Sequence, residues 1–389
     1  MNSRAIQMGG VVLFALIIGI TTLQTFTQLL PEGQLHGVTL APPRPSLTWR
    51  TWWKGQFQDQ YESWIAQRIG FKPFWVRTEN QINFSLNGRI TANETQGGTQ
   101  VVLGRENWLF EKSYVESYVG RRQLVDVDKI EPVVWGIQQL QQELARRGIA
   151  FLLVISPSKA VIYPEYLPER FLRAAAPPAG ETNYSRTAAV LEAYGIARVD
   201  GRLLFNRLKR HSDYPLFAKG GTHWNHYSAF RMLEAMIQEL NPRMARAIIP
   251  QPTLEAVELK RPQGADSDLG GLINIWTAQA TEAPTPYPQF APAVAQDTRR
   301  PNILLVGSSF VWTLIEQMTQ AEVYEKLDFL YYYRRQVTYP GKSEAPFDPL
   351  KADWQALLLE KDAVILEIND AALPHFNTRF IKDALRNLE

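Results

Sequence analysis

Ile303-Leu304-Leu305-Val306-Gly307-Ser308-Ser309-Phe310 is the stretch that decides the fold of this chain. Its apolar run is typical of a strand buried on both faces of a parallel sheet, and a helix-like stretch begins at Val311. A strand-to-helix turn lies at the carboxyl edge of such a sheet, where the helix N-terminus supplies free N–H groups for an oxyanion. Ser309 is therefore a candidate nucleophile, although Gly-Ser-Ser also forms ordinary turns and helix N-caps.

Strand-like and helix-like segments alternate along most of the remaining chain. We predict helices over 128–147, 187–194 and 228–240, and strands over 149–155, 197–200, 327–333 and 363–370. This alternation predicts an α/β fold, a doubly wound three-layer α/β/α sandwich with a mostly parallel sheet. Residues 278–300 are rich in Pro, Ala, Gln and Thr, which predicts a loop or flap without regular structure.

A histidine suited to activate the serine lies in the segment Lys219-Gly220-Gly221-Thr222-His223-Trp224-Asn225, just before a predicted helix. Histidine titrates near neutral pH, so His223 is a candidate general base for Ser309. The alternative is a capping or surface histidine. Asn369 lies in the polar cluster that ends the last predicted strand and could donate to an oxyanion together with the N–H groups of Gly307 and Phe310. An ordinary β-turn asparagine is the alternative.

In this order, the motifs resemble the alginate O-acetyltransferase family of AlgJ and AlgX type, which is similar to the SGNH hydrolases but has the histidine block before the serine block. Residues 104–110 resemble its Gly-x-x-Gly-Trp-Leu-Phe segment, and residues 156–164 resemble its Pro-x-Lys-x-x-x-Tyr-Pro segment. The resemblance covers the chain from about Phe57 onward. The short C-terminal end after Asn369 is closer to the AlgJ layout than to the AlgX layout.

The resemblance implies a serine-dependent O-acetyltransferase that acts on an exopolysaccharide, alginate included, or on another cell-envelope glycan. It implies an acyl donor protein of the multi-spanning MBOAT type in the membrane, and no cofactor. Lys159, Tyr163 and Trp224 are candidate substrate-binding residues, with a solvated lysine and a packed tryptophan as the alternatives. An SGNH-type acetylesterase and a non-catalytic glycan-binding or scaffold subunit of a secretion complex remain the alternative functions.

One position departs from the family pattern, which reads Asp-Thr-His-Trp where this chain has Gly221 before Thr222. The missing carboxylate orients the histidine in the family, and its loss in a serine protease costs about 10⁴ in rate. Asp268, Asp200 and Glu367 are candidates to replace it. A backbone carbonyl could also orient the ring, or the protein could be a non-catalytic relative.

The N-terminus carries an apolar run from about Met8 to Leu23, near the lower length limit of a membrane-spanning helix. We predict an uncleaved single-pass anchor in the inner membrane with the bulk of the chain in the periplasm, because Arg4 precedes the run and Glu32 is the first charge after it. A cleaved signal peptide is the alternative. The predicted organisation is an anchor over 1–30, a linker and juxtamembrane segment over 31–56, and an SGNH hydrolase-like domain over 57–389.

Composition limits the remaining functional classes. The chain of 389 residues has no cysteine and a formal net charge of +2, so neither a thiolate metal site nor a disulfide framework is predicted. We find no metal-binding motif and no basic run or nucleic-acid motif, which argues against a nucleic-acid partner. The aromatic residues between Trp49 and Trp64 predict either a membrane-interface segment or, by their helical spacing, a buried stripe.

Overall fold

The computed structural model describes residues 3–37, 42–90, 100–174, 181–277, 281–291 and 299–388. The chain divides into two compact units. Unit 1 contains Met1–Val101 and Gly270–Ala278, and unit 2 contains Val102–Leu269 and Gln279–Glu389. The predicted domain start at Phe57 falls inside unit 1.

Unit 1 is helical in its described part. Its helices are α1 (Ser3–Thr27), α2 (Trp49–Trp53), α3 (Gln56–Arg68) and α4 (Lys72–Asn87). Within α1, Gln7–Thr27 is long and apolar enough to cross a membrane, with a mean hydropathy of 1.9. The turn between α3 and α4 packs closely on this helix, since a Cβ on Gly70 would lie 2.6 Å from Thr21 O. Gly70 N also donates to Thr25 Oγ1 at 2.8 Å, so the end of α1 is tied to the rest of the unit.

The aromatic residues of α2 and α3 form a ladder rather than a core. The rings of Trp52, Phe57, Tyr61 and Trp64 follow one another at centroid distances of 5.5–6.0 Å. No residue of α2 or α3 is buried. The prediction of a buried stripe was therefore wrong for these helices, because their helical spacing aligns the rings with each other while each ring stays partly exposed.

The remaining elements belong almost entirely to unit 2. Its strands are β1 (Val101–Leu103), β2 (Leu109–Glu111), β3 (Ala150–Ser156), β4 (Arg198–Asp200), β5 (Thr253–Lys260), β6 (Thr285–Ala291), β7 (Asn302–Gly307), β8 (Lys326–Tyr331), β9 (Arg335–Tyr339), β10 (Ser343–Pro346) and β11 (Ala363–Asn369). Its helices are α5 (Lys112–Tyr118), α6 (Val127–Arg146), α7 (Lys159–Ile162), α8 (Glu169–Ala174), α9 (Asn183–Ala193), α10 (Gly201–Lys209), α11 (His226–Leu240), α12 (Asp268–Leu272), α13 (Val311–Gln320) and α14 (Thr378–Arg386).

A seven-stranded sheet organises unit 2, with the strand order β10-β9-β8-β7-β11-β3-β4. The five strands from β8 to β4 pair in parallel, whereas β9 and β10 extend the sheet in antiparallel pairing. Successive side chains of the central strands enter two separate cores. One core contacts α10, α11 and α13, and the other contacts α6, α9 and α14. The predicted three-layer sandwich with a mostly parallel sheet is confirmed.

The prediction of an irregular segment over 278–300 was wrong in its described part. Residues Thr285–Ala291 form β6, which pairs antiparallel with β5 in a separate two-stranded sheet. Pro286 and Pro288 lie two positions apart in β6, so both ring nitrogens face the same, unpaired side of the strand. Proline is compatible with a strand at such an edge. The Pro-rich composition of the segment therefore indicated a loop although part of it forms a strand.

Candidate active site

The carboxyl ends of β3, β7 and β11 meet at one edge of the sheet. In the parallel register Asn369 lies beside Ser156, and β7 pairs with β11 on its other side. The turn after β7 carries Ser309 directly before α13. Parallel pairing therefore brings together chain segments that are more than 200 residues apart in sequence, and this edge is where α/β sheets bind ligands.

Ser309 and His223 form a hydrogen-bonded pair. Ser309 Oγ lies 2.8 Å from His223 Nε2. The imidazole packs against the ring of Phe310, with centroids 4.8 Å apart, and only 13% of its side chain is exposed. The distance is that expected of a nucleophile and the base that removes its proton.

The second nitrogen of His223 faces a carboxylate. His223 Nδ1 lies 2.7 Å from Asp268 Oδ2. The other carboxylate oxygen, Asp268 Oδ1, accepts from the backbone N–H groups of Thr222 and Leu269 at 2.8 and 2.7 Å. These two bonds fix the orientation of the carboxylate, so Asp268 is the one among the three candidates that contacts the histidine.

Gly221 explains why the carboxylate comes from a different segment. A Cβ placed on Gly221 would overlap the carbonyl oxygen of Ala265 and lie 2.9–3.0 Å from the backbone of Asp266. The turn 264–267 therefore occupies the space that a side chain at position 221 would need. Asp268 follows this turn at the start of α12, and the turn thereby brings its carboxylate to His223 Nδ1.

Asp266 anchors the turn that carries Asp268. Its side chain is 1% exposed, and its Oδ2 accepts from Tyr287 Oη at 2.7 Å and from Thr285 Oγ1 at 3.1 Å. His226 stacks on Tyr287 with a centroid distance of 4.5 Å. Burial on its own lowers the pKa of His226, but the carboxylates of Asp266, 3.8 Å from Nδ1, and of Glu316, hydrogen-bonded to Nε2 at 2.9 Å, raise that pKa to about 9. Strand β6 and helix α11 thus hold the turn in place.

Lys159 is not a substrate contact in this structure, which corrects the prediction. Its side chain is fully buried, and Nζ donates to the carbonyl oxygens of Ala218 at 3.0 Å, Lys219 at 3.2 Å and Gly221. Burial lowers the pKa of Lys159 to about 7, against the raising effect of the Asp268 charge. The lysine therefore supports the backbone of the loop that leads to His223.

The predictions of Trp224 and Tyr163 as substrate-binding residues were also wrong. Trp224 is completely buried and packs against Phe205 and Phe310 at 5.9 and 5.4 Å between ring centroids. Tyr163 is 8% exposed and its Oη accepts from Leu216 N at 2.9 Å. Burial raises the pKa of Tyr163 to about 12. Both rings therefore pack inside the protein and support the loop that carries His223.

Asp200 and Glu367, the other two candidates for the carboxylate that orients His223, have different hydrogen-bond partners. Asp200 caps α10 by accepting from Leu203 N at 3.2 Å and also accepts from Tyr184 Oη at 2.7 Å. Glu367 is buried between the strand ends, where it accepts from Ser156 Oγ and, at 2.7 Å, from Ser308 N. Burial raises the pKa of Glu367. Glu367 thus braces the serine turn, whereas neither carboxylate bonds to His223.

Two of the three predicted oxyanion donors, Gly307 and Phe310, flank the serine turn, and Asn369 ends the neighbouring strand β11. Gly307 ends β7, where a Cβ would lie 2.7 Å from Glu367 Oε2, so a larger residue is excluded. Phe310 N donates to Ser308 Oγ at 3.3 Å, a weak bond. Asn369 Oδ1 accepts from Ala371 N at 3.0 Å, and its Nδ2 lies 3.4 Å from Ser156 Oγ. Their role as oxyanion donors stays a prediction.

Sequence reasoning missed Asp266, His226 and Asp370. Asp370 directly follows Asn369, the last residue of β11, and it is 4% exposed. His226 lies in the first turn of α11, three residues after His223, and this short spacing is the signal that could have placed it near the same edge. For Asp266 the only available signal was its closeness to Asp268 in sequence.

Residues 101–329 match the family described as SGNH hydrolase-like domain, acetyltransferase AlgX. The match covers more than half of the 389-residue chain. The chain belongs to this family. The resemblance to AlgJ and AlgX that the sequence motifs indicated is thereby confirmed.

Three related proteins share low sequence identity with this chain. Probable alginate O-acetylase AlgJ of Pseudomonas aeruginosa is 28% identical over 149 residues, which are 37% of this chain and 34% of that protein. The chain thus spans about a third of the length of the curated relative it matches. The solved O-acetyltransferase domain of Pseudomonas putida AlgJ is 17% identical with a TM-score of 0.48, over 74% of this chain and 99% of that one. Pseudomonas aeruginosa AlgX is 18% identical with a TM-score of 0.49, over 78% and 71%.

Proposed function

We propose that the protein is an extracytoplasmic O-acetyltransferase that carries an acetyl group on Ser309 and transfers it to a hydroxyl of an exopolysaccharide or cell-envelope glycan. The observation that carries this proposal is the chain of hydrogen bonds from Ser309 through His223 to Asp268 at the carboxyl edge of the sheet. Membership in the AlgX acetyltransferase family favours acetyl transfer over other acyl chemistry.

The proposed reaction has two steps. Ser309 Oγ attacks the acetyl carbonyl of the donor, His223 Nε2 takes the hydroxyl proton, and that proton passes to the leaving group as its bond to carbon breaks. In the second step His223 removes the proton of an acceptor hydroxyl, which attacks the acetyl-serine, and Ser309 recovers a proton as the ester bond breaks. Asp268 holds the imidazole in the tautomer with its free lone pair on Nε2 and stabilises the imidazolium formed in each step.

We infer a location at the inner membrane with the catalytic unit in the periplasm. Support comes from helix Gln7–Thr27, which is long and apolar enough to span a bilayer, and from the placement of Arg4 before it. Acetyl-CoA is cytoplasmic, so an acyl donor protein of the MBOAT type in the same membrane would supply the acetyl group. An anchor that keeps Ser309 close to that donor fits this arrangement.

The test is acetyl-enzyme formation by the full-length protein in detergent, with p-nitrophenyl acetate as donor. Intact mass spectrometry should detect an adduct of roughly 42 Da in the wild type and none in Ser309→Ala, since only Ser309 is proposed to form the ester. Thr313→Ala, a hydroxyl change in the helix after the serine, is the matched control and should retain the adduct. A folded wild type with neither adduct nor ester turnover would refute the catalytic proposal, and rapid turnover that acceptor sugars do not alter would favour an esterase.

A further inference from the structure

Unit 1 contains a cavity beside the end of the helix that is proposed to span the membrane. The cavity has a volume of about 460 Å³, which lies in the range of about 300–1,000 Å³ usual for ligand pockets. Its lining includes Thr25 and Phe26, in the last turn of the apolar helix Gln7–Thr27, and Tyr61 and Trp64 of α3. In a membrane-spanning α1, this turn lies where the hydrocarbon core meets the lipid headgroups.

Two arginines of the cavity lack acidic partners. The Cζ atoms of Arg44 and Arg68 lie 5.6 and 5.1 Å from the centre of the Trp64 ring. Neither guanidinium group forms a hydrogen bond or an ion pair with another residue that the structure describes. Arg68 Nε is buried and has no hydrogen-bond partner among these residues. Because an unpaired buried donor is costly, the cavity favours a ligand that accepts hydrogen bonds.

The acidic residue that shares a neighbouring cavity with Arg68 is occupied elsewhere. Glu32 Oε1 accepts from Gln24 Nε2 at 2.9 Å and from Phe71 N at 2.8 Å, and within the described part of unit 1 it forms no ion pair with Arg68. Residues 42–90 carry seven Arg and Lys against three Asp and Glu. The surroundings of the cavity therefore keep an excess of positive charge, which favours an anionic ligand.

The two arginines are held in place by their local backbone. Arg44 lies between Pro43 and Pro45, whose fixed φ angles restrict this segment. Arg68 is the last residue of α3, and the turn that follows it is fixed against α1, where Gly70 N donates to Thr25 Oγ1 at 2.8 Å. A cationic site that is ordered in advance loses less conformational entropy when its ligand binds.

Exposed aromatic rings continue from the cavity along α2 and α3. The ladder of rings that begins at Trp52 ends at Trp64 in the cavity lining. Trp49 and Trp53 stack on each other with centroids 5.5 Å apart and are 77% and 76% exposed. Tryptophan and tyrosine are enriched at the level of the headgroups, where one end of the ring is apolar and the other is hydrated. These rings favour a lipid over a soluble anion as the ligand.

We propose that this cavity binds the phosphodiester headgroup of an anionic phospholipid in the periplasmic leaflet. Arg44 and Arg68 donate to the phosphate oxygens, since the planar guanidinium fork matches the geometry of phosphate. The exposed rings of α2 and α3 lie among the neighbouring headgroups. This inference rests on the proposed membrane anchor and is independent of the acetyl-transfer chemistry at Ser309.

The test is native mass spectrometry of the full-length protein in detergent, titrated with dioleoyl phosphatidylglycerol and with dioleoyl phosphatidylcholine. Phosphatidylglycerol should bind at least tenfold more tightly, because its headgroup has a net negative charge. Arg44→Ala and, separately, Arg68→Ala should each weaken its Kd at least tenfold. Arg68→Lys should recover part of the loss, since lysine keeps the charge but not the fork.

Arg89→Ala is the matched control, because Arg89 follows the far end of α4, about 24 Å along the helix from the turn at Gly70, and should keep the wild-type affinity. Thermal melts establish that each variant is folded. Equal affinity for both lipids, or wild-type affinity in both alanine variants, overturns the proposal. Glycerophosphoglycerol, the same headgroup without acyl chains, should bind at least tenfold more weakly, and equal affinity would refute a lipid ligand.

The same samples separate this proposal from those on which it does not depend. The intact mass of protein extracted from membranes shows whether α1 is still attached, so loss of the anchor is detected separately from loss of lipid binding. Arg44 and Arg68 belong to unit 1, whereas Ser309, His223 and Asp268 belong to unit 2. Acetyl-enzyme formation with p-nitrophenyl acetate should therefore be unchanged in both alanine variants.

Discussion

Replacing Asp268 by Asn tests the assignment of the residue that orients the histidine. The asparagine Oδ1 can keep both backbone bonds, from Thr222 N and Leu269 N, so the turn should retain its structure. Its Nδ2 then faces His223 Nδ1, which must become an acceptor. The ring proton moves to Nε2, the atom 2.8 Å from Ser309 Oγ, and the histidine can no longer take the serine proton.

The size of the effect follows from the geometry. Opposite unit charges about 4 Å apart interact by about 4 kcal/mol at an effective dielectric constant of 20, which corresponds to roughly 10³ in rate. Loss of the equivalent carboxylate in a serine protease costs about 10⁴. The Asp268 side chain is 30% exposed, so solvent weakens its effect and we expect the smaller loss of about 10³.

The assay is the rate of acetyl-enzyme formation with p-nitrophenyl acetate, followed by quenched-flow mass spectrometry. Asp213→Asn, a carboxylate-to-amide change in a loop without a contact to His223, is the control and should react at the wild-type rate. The melting temperature of both variants should stay within a few degrees of the wild type. A loss below tenfold in the folded Asp268→Asn protein would refute its orienting role and favour a serine-histidine dyad.

Further predictions concern the surroundings of this carboxylate. Adding Gly221→Asp to the Asp268→Asn variant should fail to restore the adduct rate and should lower the melting temperature, because the new side chain overlaps the turn that contains Ala265; recovery of the rate would contradict this packing argument. Lys159→Met should slow acetyl-enzyme formation at least tenfold, since three loop carbonyls lose their buried donor. A wild-type rate in this variant would show that the loop keeps its conformation without the lysine. The pKa of His226 is raised from 6.5 to about 9, so its stabilising effect is complete below pH 6.5 and is lost as pH rises through about 9. Urea titrations of the wild type should show that its free energy of unfolding falls by roughly 3 kcal/mol across this window, a decrease that His226→Gln lacks. An equal dependence of the free energy of unfolding on pH in both proteins would exclude the linkage.

The sequence predicted the sheet because its strands are continuous apolar runs between helices with regular apolar spacing. It also placed Ser309 at the correct edge, since a strand-to-helix turn has a defined position in an α/β fold. It could not choose between Asp268, Asp200 and Glu367, because each lies near the end of a strand or the start of a helix. The choice depends on the path of the irregular turn 264–267, which no local pattern encodes.

Side-chain burial was the second limit of the sequence. The side chains of Lys159 and Trp224 can face either a substrate or the protein interior. The neighbouring sequence does not distinguish these two orientations. In the structure Lys159 finds three carbonyl acceptors and Trp224 lies between aromatic rings. Lys159 points inward because carbonyl oxygens of a distant segment accept from its ammonium group, and Trp224 points inward because rings of distant segments pack against it.

The carboxylate that orients His223 therefore depends on tertiary structure rather than on the histidine segment itself. A carboxylate two residues before the histidine would be positioned by local backbone geometry alone. Asp268 instead depends on the turn beside Gly221, and Asp266 ties that turn to Thr285 and Tyr287 of β6. Loosening β6 would thus move the carboxylate away from the imidazole without changing Ser309 or His223. Gly221 is therefore compatible with an intact serine-histidine-aspartate arrangement, because a glycine at this position leaves space for the segment that carries Asp268.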